Sequence, residues 1–518
     1  MKNKYFVLLL TGILFLQGCT TYKGATSTDD GKIRASFVQI NDVYEIAPLS
    51  GGKEGGMARV ATLKKQYLAN NPNTCLVIAG DFLSPSVYNS LQYQGKAIRG
   101  KQMVDVMNAA GMDIAMFGNH EFDIRESELQ DRINESKFQW ISSNSFHKMK
   151  DQVAPFVKQN AGSFPQTYIK QIHDADGTTA RIGFFAVTLP FNRADYVSYT
   201  DPLSTAKEMY NHLRDSVDAV IAITHQAMED DEKLATELPG LTAIIGGHEH
   251  DGRFKKVGKV YITKALANAK TAYVVNVTIN KKKHKTSVQP VLEKVDDHIS
   301  LDPATNEVVQ KWSRIAEENY SSLGFDAKKV VINKGEPLEG REVEVRKNPT
   351  NLTRLIVKAM AEAAPKADVV LLNGGSIRVD DVLQMPVTEY DILRTLPFGG
   401  AIKEADVKGS VLINALNVGN RNVGIGGYLH YNEGVVYNEG TNTWSLNGKP
   451  LDPNATYRLA ITDFLLTGKE ANLDFLNPTN PGVVKVYEGQ ASPALSDIRM
   501  AVVQYLEKHQ DQYITGSK

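Results

Sequence analysis

From Ile33 onward the chain alternates short apolar runs with helical or turn segments. The runs near 34–40, 74–79, 112–117, 139–143, 181–188, 218–224, 242–246, 259–265 and 271–279 predict strands. Helical patterns lie between several of them, for example over 58–69 and 101–110. Strands alternating with helices predict an α/β layer structure. Near residue 300 the texture changes. Lys281, Lys282 and Lys283, then Asp296 and Asp297, read as solvated surface. Asp302 and Pro303 suit a cap and a first helical turn. Val308, Trp312 and Ile315 follow at i, i+4 and i+7, the apolar face of a helix ending near Tyr320. This predicts a helical linker at 299–325 between a first domain at 33–298 and a second at 326–518. The second domain shows a helix at 349–363 and a strand at 368–372, and the chain has no internal repeat.

Composition narrows the class. At 518 residues the chain has room for about two to four domains. With 42% apolar and 23% charged residues, disorder is excluded as the main state. Lys and Arg number 58 against 59 Asp and Glu, a formal net charge of -1, which argues against a nucleic acid polymer as partner. No protein partner is evident. Two cysteines, Cys19 and Cys75, exclude a disulfide scaffold, and the apolar run around Cys75 predicts a buried, inert thiol.

The first residues read as an address. Lys2 and Lys4 precede an almost wholly apolar stretch at 5–16, too short to span a bilayer and suited to a signal segment. Leu16-Gln17-Gly18-Cys19 resembles a bacterial lipobox. The resemblance implies a lipoprotein signal peptide at 1–18, a lipid on Cys19 and a polar tether at 19–32. It implies a bacterial cell-envelope protein anchored to a membrane by that lipid. Thr20, in place of an aspartate, points to the outer membrane, on its periplasmic or surface face. An uncleaved anchor or a plain secretory signal is the alternative.

Five of the predicted strands end in potential metal ligands. They run into Asn41-Asp42, Gly80-Asp81, Gly118-Asn119-His120-Glu121 with Asp123 beyond, His225, and Gly247-His248-Glu249-His250. In α/β folds, sites form outside the carboxyl ends of strands, so residues 200 positions apart can meet. A carboxylate can bridge two cations, and imidazoles with an amide oxygen complete mixed N/O shells suited to Zn, Mn, Co or Fe. Two such ions can clamp a phosphoryl group and ionise a water.

These motifs, in this order, resemble the calcineurin-like metallophosphoesterases. Asn373-Gly374-Gly375-Ser376-Ile377-Arg378, Leu396-Pro397-Phe398-Gly399 and Gly426-Gly427-Tyr428-Leu429 resemble the C-terminal domain of the bacterial 5′-nucleotidases. That family includes UDP-sugar hydrolases and 2′,3′-cyclic phosphodiesterases. The resemblance implies an α/β (α+β) fold: a four-layer metallophosphoesterase β-sandwich flanked by helices, followed by an α/β substrate-binding domain. It implies a metal-dependent hydrolase of nucleotide phosphate esters serving nucleotide salvage. Two divalent metal ions would be held, with Asp81 bridging. Asp42 and His250 would hold the first ion, and Asn119, His225 and His248 the second. His120, oriented by Asp123, would act on the phosphate. Arg378, Tyr428, Phe464 and Glu470 would bind the nucleotide, with Tyr428 and Phe464 stacking on the base. Core packing is the alternative for these two rings.

Two departures stand out. Tyr44 replaces a metal-ligand histidine two residues after Asp42, which would leave the first metal site weak or differently filled. Gly468-Lys469-Glu470 stands where the family has Gly-Gly-Asp. The alternative function is therefore a nucleotide- or metal-binding lipoprotein with weak or no turnover.

Overall fold

The computed structural model describes residues 29–150, 152–191, 194–487 and 492–510; the signal segment and Cys19 lie outside the described residues. Two six-stranded sheets build the N-terminal half. The first has the order Lys285–Lys294, Thr271–Asn280, Lys32–Ile40, Thr74–Ile78, Ile114–Met116, Gln139–Ile141. The second has the order Thr167–His173, Thr179–Thr188, Ala219–His225, Ala243–Gly247, Val260–Lys264, Arg253–Val257. Four consecutive strands in each sheet are parallel, so their carboxyl ends share one edge.

The inner parallel strands are buried on both faces, as for example in Thr74–Ile78, Ala219–His225 and Ala243–Gly247. Phe37, Val77 and Met116 from one sheet meet Phe184, Ile221 and Ile245 from the other in the central layer. The helices Met57–Asn70, Lys101–Ala110 and Glu126–Glu135 cover the first sheet, and Pro202–Arg214 and Met228–Glu237 the second. The result is the expected four layers. All nine expected strands are present. Three edge strands of these sheets escaped the sequence reading, Thr167–His173, Arg253–Val257 and Lys285–Lys294. Each is antiparallel and partly or largely exposed, and mixes polar with apolar positions instead of forming a run.

The helix Pro303–Ser322 starts on the Asp302 cap, whose carboxylate accepts from the Thr305 N–H at 3.0 Å. Its buried face is Val309, Trp312, Ala316 and Tyr320, rotated by one position from the expected one. Trp312 is fully buried, packs on Tyr93 and donates to Asp105. The helix thus packs onto the first half, and its Tyr320 also stands edge-on to Tyr390 of the second at 6.3 Å.

The C-terminal half centres on a mixed sheet in the order Leu429–Tyr431, Val369–Asn373, Thr456–Thr462, Ile402–Lys408, Val483–Tyr487. Val370 and Leu372 face the helices Asn351–Ala363 and Ile498–Lys508, while Val369 and Leu371 face Gly409–Arg421. Polar contacts join the halves: Lys270 reaches both oxygens of Asp381 at 2.6 Å, Glu45 meets Tyr390, and His250 pairs with Asp380. Among the described residues no helix is long and apolar enough to cross a membrane.

One side chain fixes the loops at the shared edge. Glu121 is fully buried. Its Oε2 accepts from the N–H groups of Asp81 and Gly118 at 2.8 and 2.6 Å, and its Oε1 from those of Phe82 and Leu83 at 2.7 and 3.0 Å. The loops after two neighbouring strands are tied to one carboxylate. Glu121→Gln would set an amide NH2 against these donors. A loss of about 2 kcal/mol or more is expected, read as a lower denaturation midpoint at unchanged slope.

Candidate metal centre and ligand cavity

The carboxyl-end loops of both sheets converge. Asp42, Asp81 and His250 each offer a ligand atom within 4.8 Å of the others. His225 Nε2 lies 3.1 Å from Asp81 Oδ2 and 3.9 Å from Asp42 Oδ1. The His248 ring stands edge-on to His225 at 5.4 Å, and the His248 N–H donates to Asp42 Oδ2 at 2.9 Å. Asn119 is buried one residue before His120, whose N–H donates to Asp81 Oδ1 at 2.8 Å. All six expected ligands thus lie along this edge.

The donor set fits a cation. Asp42 Oδ1, Asn119 Oδ1 and His225 Nε2 are buried without a hydrogen-bond partner among the described residues. Such atoms are costly unless something else satisfies them. His225 Nδ1–H donates to the Ala79 carbonyl at 2.7 Å, which fixes the ring with Nε2 toward the carboxylates.

The backbone accepts strain to achieve this. Asp42, Asp81, His248 and His250 have φ of 53°, 55°, 98° and 55°, a region that costs L-residues about 1–3 kcal/mol each. Two glycines are required by close approach. A Cβ on Gly118 would lie 2.1 Å from Asp81 Oδ1, and one on Gly247 would lie 2.5 Å from the Ala79 carbonyl oxygen that orients His225.

The electrostatics record the crowding. Burial disfavours a charged His225, but Asp81 and Asp42 reverse this and push its pKa up to about 9. Burial and the neighbouring His225 pull His248 down to about 4. Asp81 is held well below the usual carboxylate range, against burial, by His225 and His120. His120 Nδ1 bonds Asp123 Oδ2 at 2.6 Å. Burial opposes its charge, yet Asp81 and Asp123 hold its pKa above the ordinary value, with Arg378 pulling the other way.

Tyr44 points into this cluster. Its hydroxyl donates to Asp81 Oδ2 at 3.3 Å and lies 2.9 Å from His250 Nε2. Burial, Asp81 and Asp42 raise its pKa well above the ordinary phenol value. The phenol therefore stands between Asp81 and His250, two of the three clustered candidate ligands.

A cavity of about 660 Å³ opens in the C-terminal half, lined by Arg346, Asn373, Arg378, Phe398, Phe464 and Glu470 among others. Glu470 accepts from the Asn373 amide at 2.6 Å. Phe398 and Phe464 are 69% and 44% exposed there. Tyr428 does not line it. Tyr428 is buried edge-on to His430 at 5.3 Å, so core packing is the state observed. Phe398 is the second ring that lines it. The sequence does not single Phe398 out within Leu396-Pro397-Phe398-Gly399, because exposure of an aromatic is set by tertiary packing. Arg378 lines both this cavity and a cleft beside Tyr44, and its charge acts on His120, so it bridges cavity and ligand cluster. Asp380 was also missed; only the contact with His250 across the two halves reveals it.

Comparison with known proteins agrees with this arrangement. The calcineurin-like phosphoesterase family matches residues 35–252, and the 5′-nucleotidase C-terminal domain matches residues 330–476. The chain is 28% identical over 477 residues to the protein UshA of Yersinia enterocolitica, covering 80% of this chain and 82% of the relative. It is 26% identical over 529 residues to a snake venom 5′-nucleotidase of Gloydius brevicauda, covering 88% and 85%. The crystal structure of a 5′-nucleotidase precursor from Thermus thermophilus superposes with a TM-score of 0.66 at 22% identity, over 92% of this chain and 97% of that one. Sheet order, ligand loops and cavity thus meet in a single assignment: the chain is a hydrolase of phosphate esters, a calcineurin-like phosphoesterase joined to a 5′-nucleotidase C-terminal domain.

Proposed function

We propose that the chain hydrolyses nucleotide phosphate esters with the aid of two divalent metal ions. The carrying observation is the set of buried side-chain atoms on Asp42, Asn119 and His225 that lack a hydrogen bond among the described residues, with Arg378 linking them to a cavity that displays two aromatic rings. The nucleotidase relatives support the substrate class. Asp42, Asp81 and His250 would hold the first ion, and Asp81, Asn119, His225 and His248 the second. Bound there, Zn, Mn, Co or Fe supplies positive charge to the phosphoryl oxygens and acidifies a water. Asp123 takes the Nδ1 proton of His120 in a hydrogen bond and fixes the ring, leaving Nε2 to give a proton to the leaving oxygen. Arg378 neutralises an anionic group of the ligand. Phe464 stacks on the base with Phe398 as the second exposed ring, and Glu470 and Asn373 present polar atoms to the sugar. The first domain spans 33–298, the linker 299–325 and the substrate domain 326–518. The lipobox supports a lipid anchor on Cys19 at the outer membrane. There, phosphate removal yields a neutral nucleoside for salvage.

Phosphate release from AMP, UMP, a UDP-sugar and a 2′,3′-cyclic nucleotide, each with Mn²⁺, Zn²⁺ or Co²⁺ added, tests the reading. Turnover of at least one is expected. No turnover with any metal would leave the second reading, a nucleotide-binding protein, which the Tyr44 hydroxyl among the first-site ligands favours.

Three variants sharpen this, and a fourth probes the first metal site. His120→Ala should lower kcat by about 10²–10⁴-fold with metal content retained. Asp123 holds the His120 pKa up, so Asp123→Asn should move the alkaline limb of the kcat–pH profile toward lower pH. Phe464→Ala should raise KM for nucleotides by about 1–3 kcal/mol of lost stacking, while turnover of a phosphoester without a base stays unchanged. Tyr44→His should raise the tightly held metal per chain, measured by elemental analysis, and raise kcat with it.

A further inference from the structure

Behind the ligand loops lies a buried charge that the proposed reaction does not use. Lys264 ends the strand Val260–Lys264 and is 1% exposed. Its ammonium donates to the Gln226 carbonyl at 2.6 Å and to Glu249 Oε2 at 2.6 Å, and it pairs with Asp231 Oδ2 at 3.0 Å. An ammonium has three protons, and here it meets three oxygens. Two of these oxygens belong to the ligand loops. Gln226 directly follows His225, and Glu249 sits between His248 and His250. Glu249 reaches back the same way, accepting from the Met228 N–H through its Oε1. Gly246 faces Lys264 across the ladder, and a Cβ there would lie 2.9 Å from Lys264 Cε. The absence of a side chain at Gly246 is what admits the lysine.

The loop it grips is strained. His248 and His250 both have positive φ, and Glu249 lies between them. Such a backbone persists only where its surroundings over-determine it. A carboxylate anchored at the middle of the strained segment, by a lysine that also grips the neighbouring ligand loop, meets that condition. We propose that Lys264 is a positioning residue: through Gln226 and Glu249 it sets His225 against His248 and His250, and thereby the affinity of the centre for its cation. This rests on the metal-binding reading given above.

The test is Mn²⁺ binding by the full-length protein, measured by equilibrium dialysis at a temperature where every variant is folded. Lys264→Met should weaken Mn²⁺ binding by about 10–100-fold, the range typical for loss of a group that supports a metal ligand. Glu249→Gln, which keeps the side-chain shape and weakens one arm, should shift Kd in the same direction by less. Trp444→Phe, a buried change in the other half, lowers stability alone and should leave Kd as in the wild type. Should Lys264→Met fail to fold, Glu249→Gln decides. Saturable binding by the wild type with an unchanged Kd in the folded Lys264 or Glu249 variant would overturn the positioning role only. No saturable Mn²⁺ binding by the wild type would overturn the metal reading and the proposal together.

Discussion

Two buried carboxylates, Asp42 and Asp81, lie side by side in the absence of bulk water. Like charges in a low dielectric repel strongly, and the free energy of the fold depends on what is set against them. In the protein alone, that role falls to His225 and His120, whose pKa values rise against burial for this reason, and in part to His250, whose rise against burial is led by Asp380 with Asp42 second. Much of the surrounding architecture follows from the same requirement. Parallel strands aim their ends at one edge, positive φ values turn ligands inward, and glycines at 118 and 247 let backbone and carboxylate approach. Glu121 and Lys264 fix the loops from behind with opposite chemistry. One accepts from backbone N–H groups, and the other donates to a carbonyl and carboxylates.

Much of this centre was legible in the sequence. Apolar runs mark strands buried on both faces, and the polar residue closing such a run is where an edge loop begins. Asp42, Asp81, Asn119, His225, His248 and His250 could therefore be picked out without coordinates. What was not legible depends on who packs against whom. The Tyr428 ring is buried beside His430 while Phe398 stands open, and both are aromatic residues in glycine-containing motifs. The helix face of Pro303–Ser322 is offset by one position because Val309 and Ala316 meet the first half, whereas Val308 and Ile315 are only partly covered. Edge strands such as Lys285–Lys294 carry the same pattern as a polar loop until a partner strand is present.

The two halves divide the work by the physics of their ligands. The first presents charge in a rigid sandwich, where buried carboxylates and imidazoles need fixed positions. The second presents rings and two arginines, Arg346 and Arg378, around an open cavity, where a planar group can be held by its faces. Arg378 is the residue common to both settings.

The contact between His250 and Asp380 carries a further consequence. One partner belongs to the ligand cluster and the other to the opposite half of the chain. With a cation held by His250 as proposed, ligation and the docking of the two halves would share a thermodynamic cycle. Whatever factor docking contributes to the grip of His250 on a cation, the cation returns to docking by the same factor, because the cycle must close. The inorganic chemistry of one half and the geometry of the other are thus a single equilibrium, read from two ends.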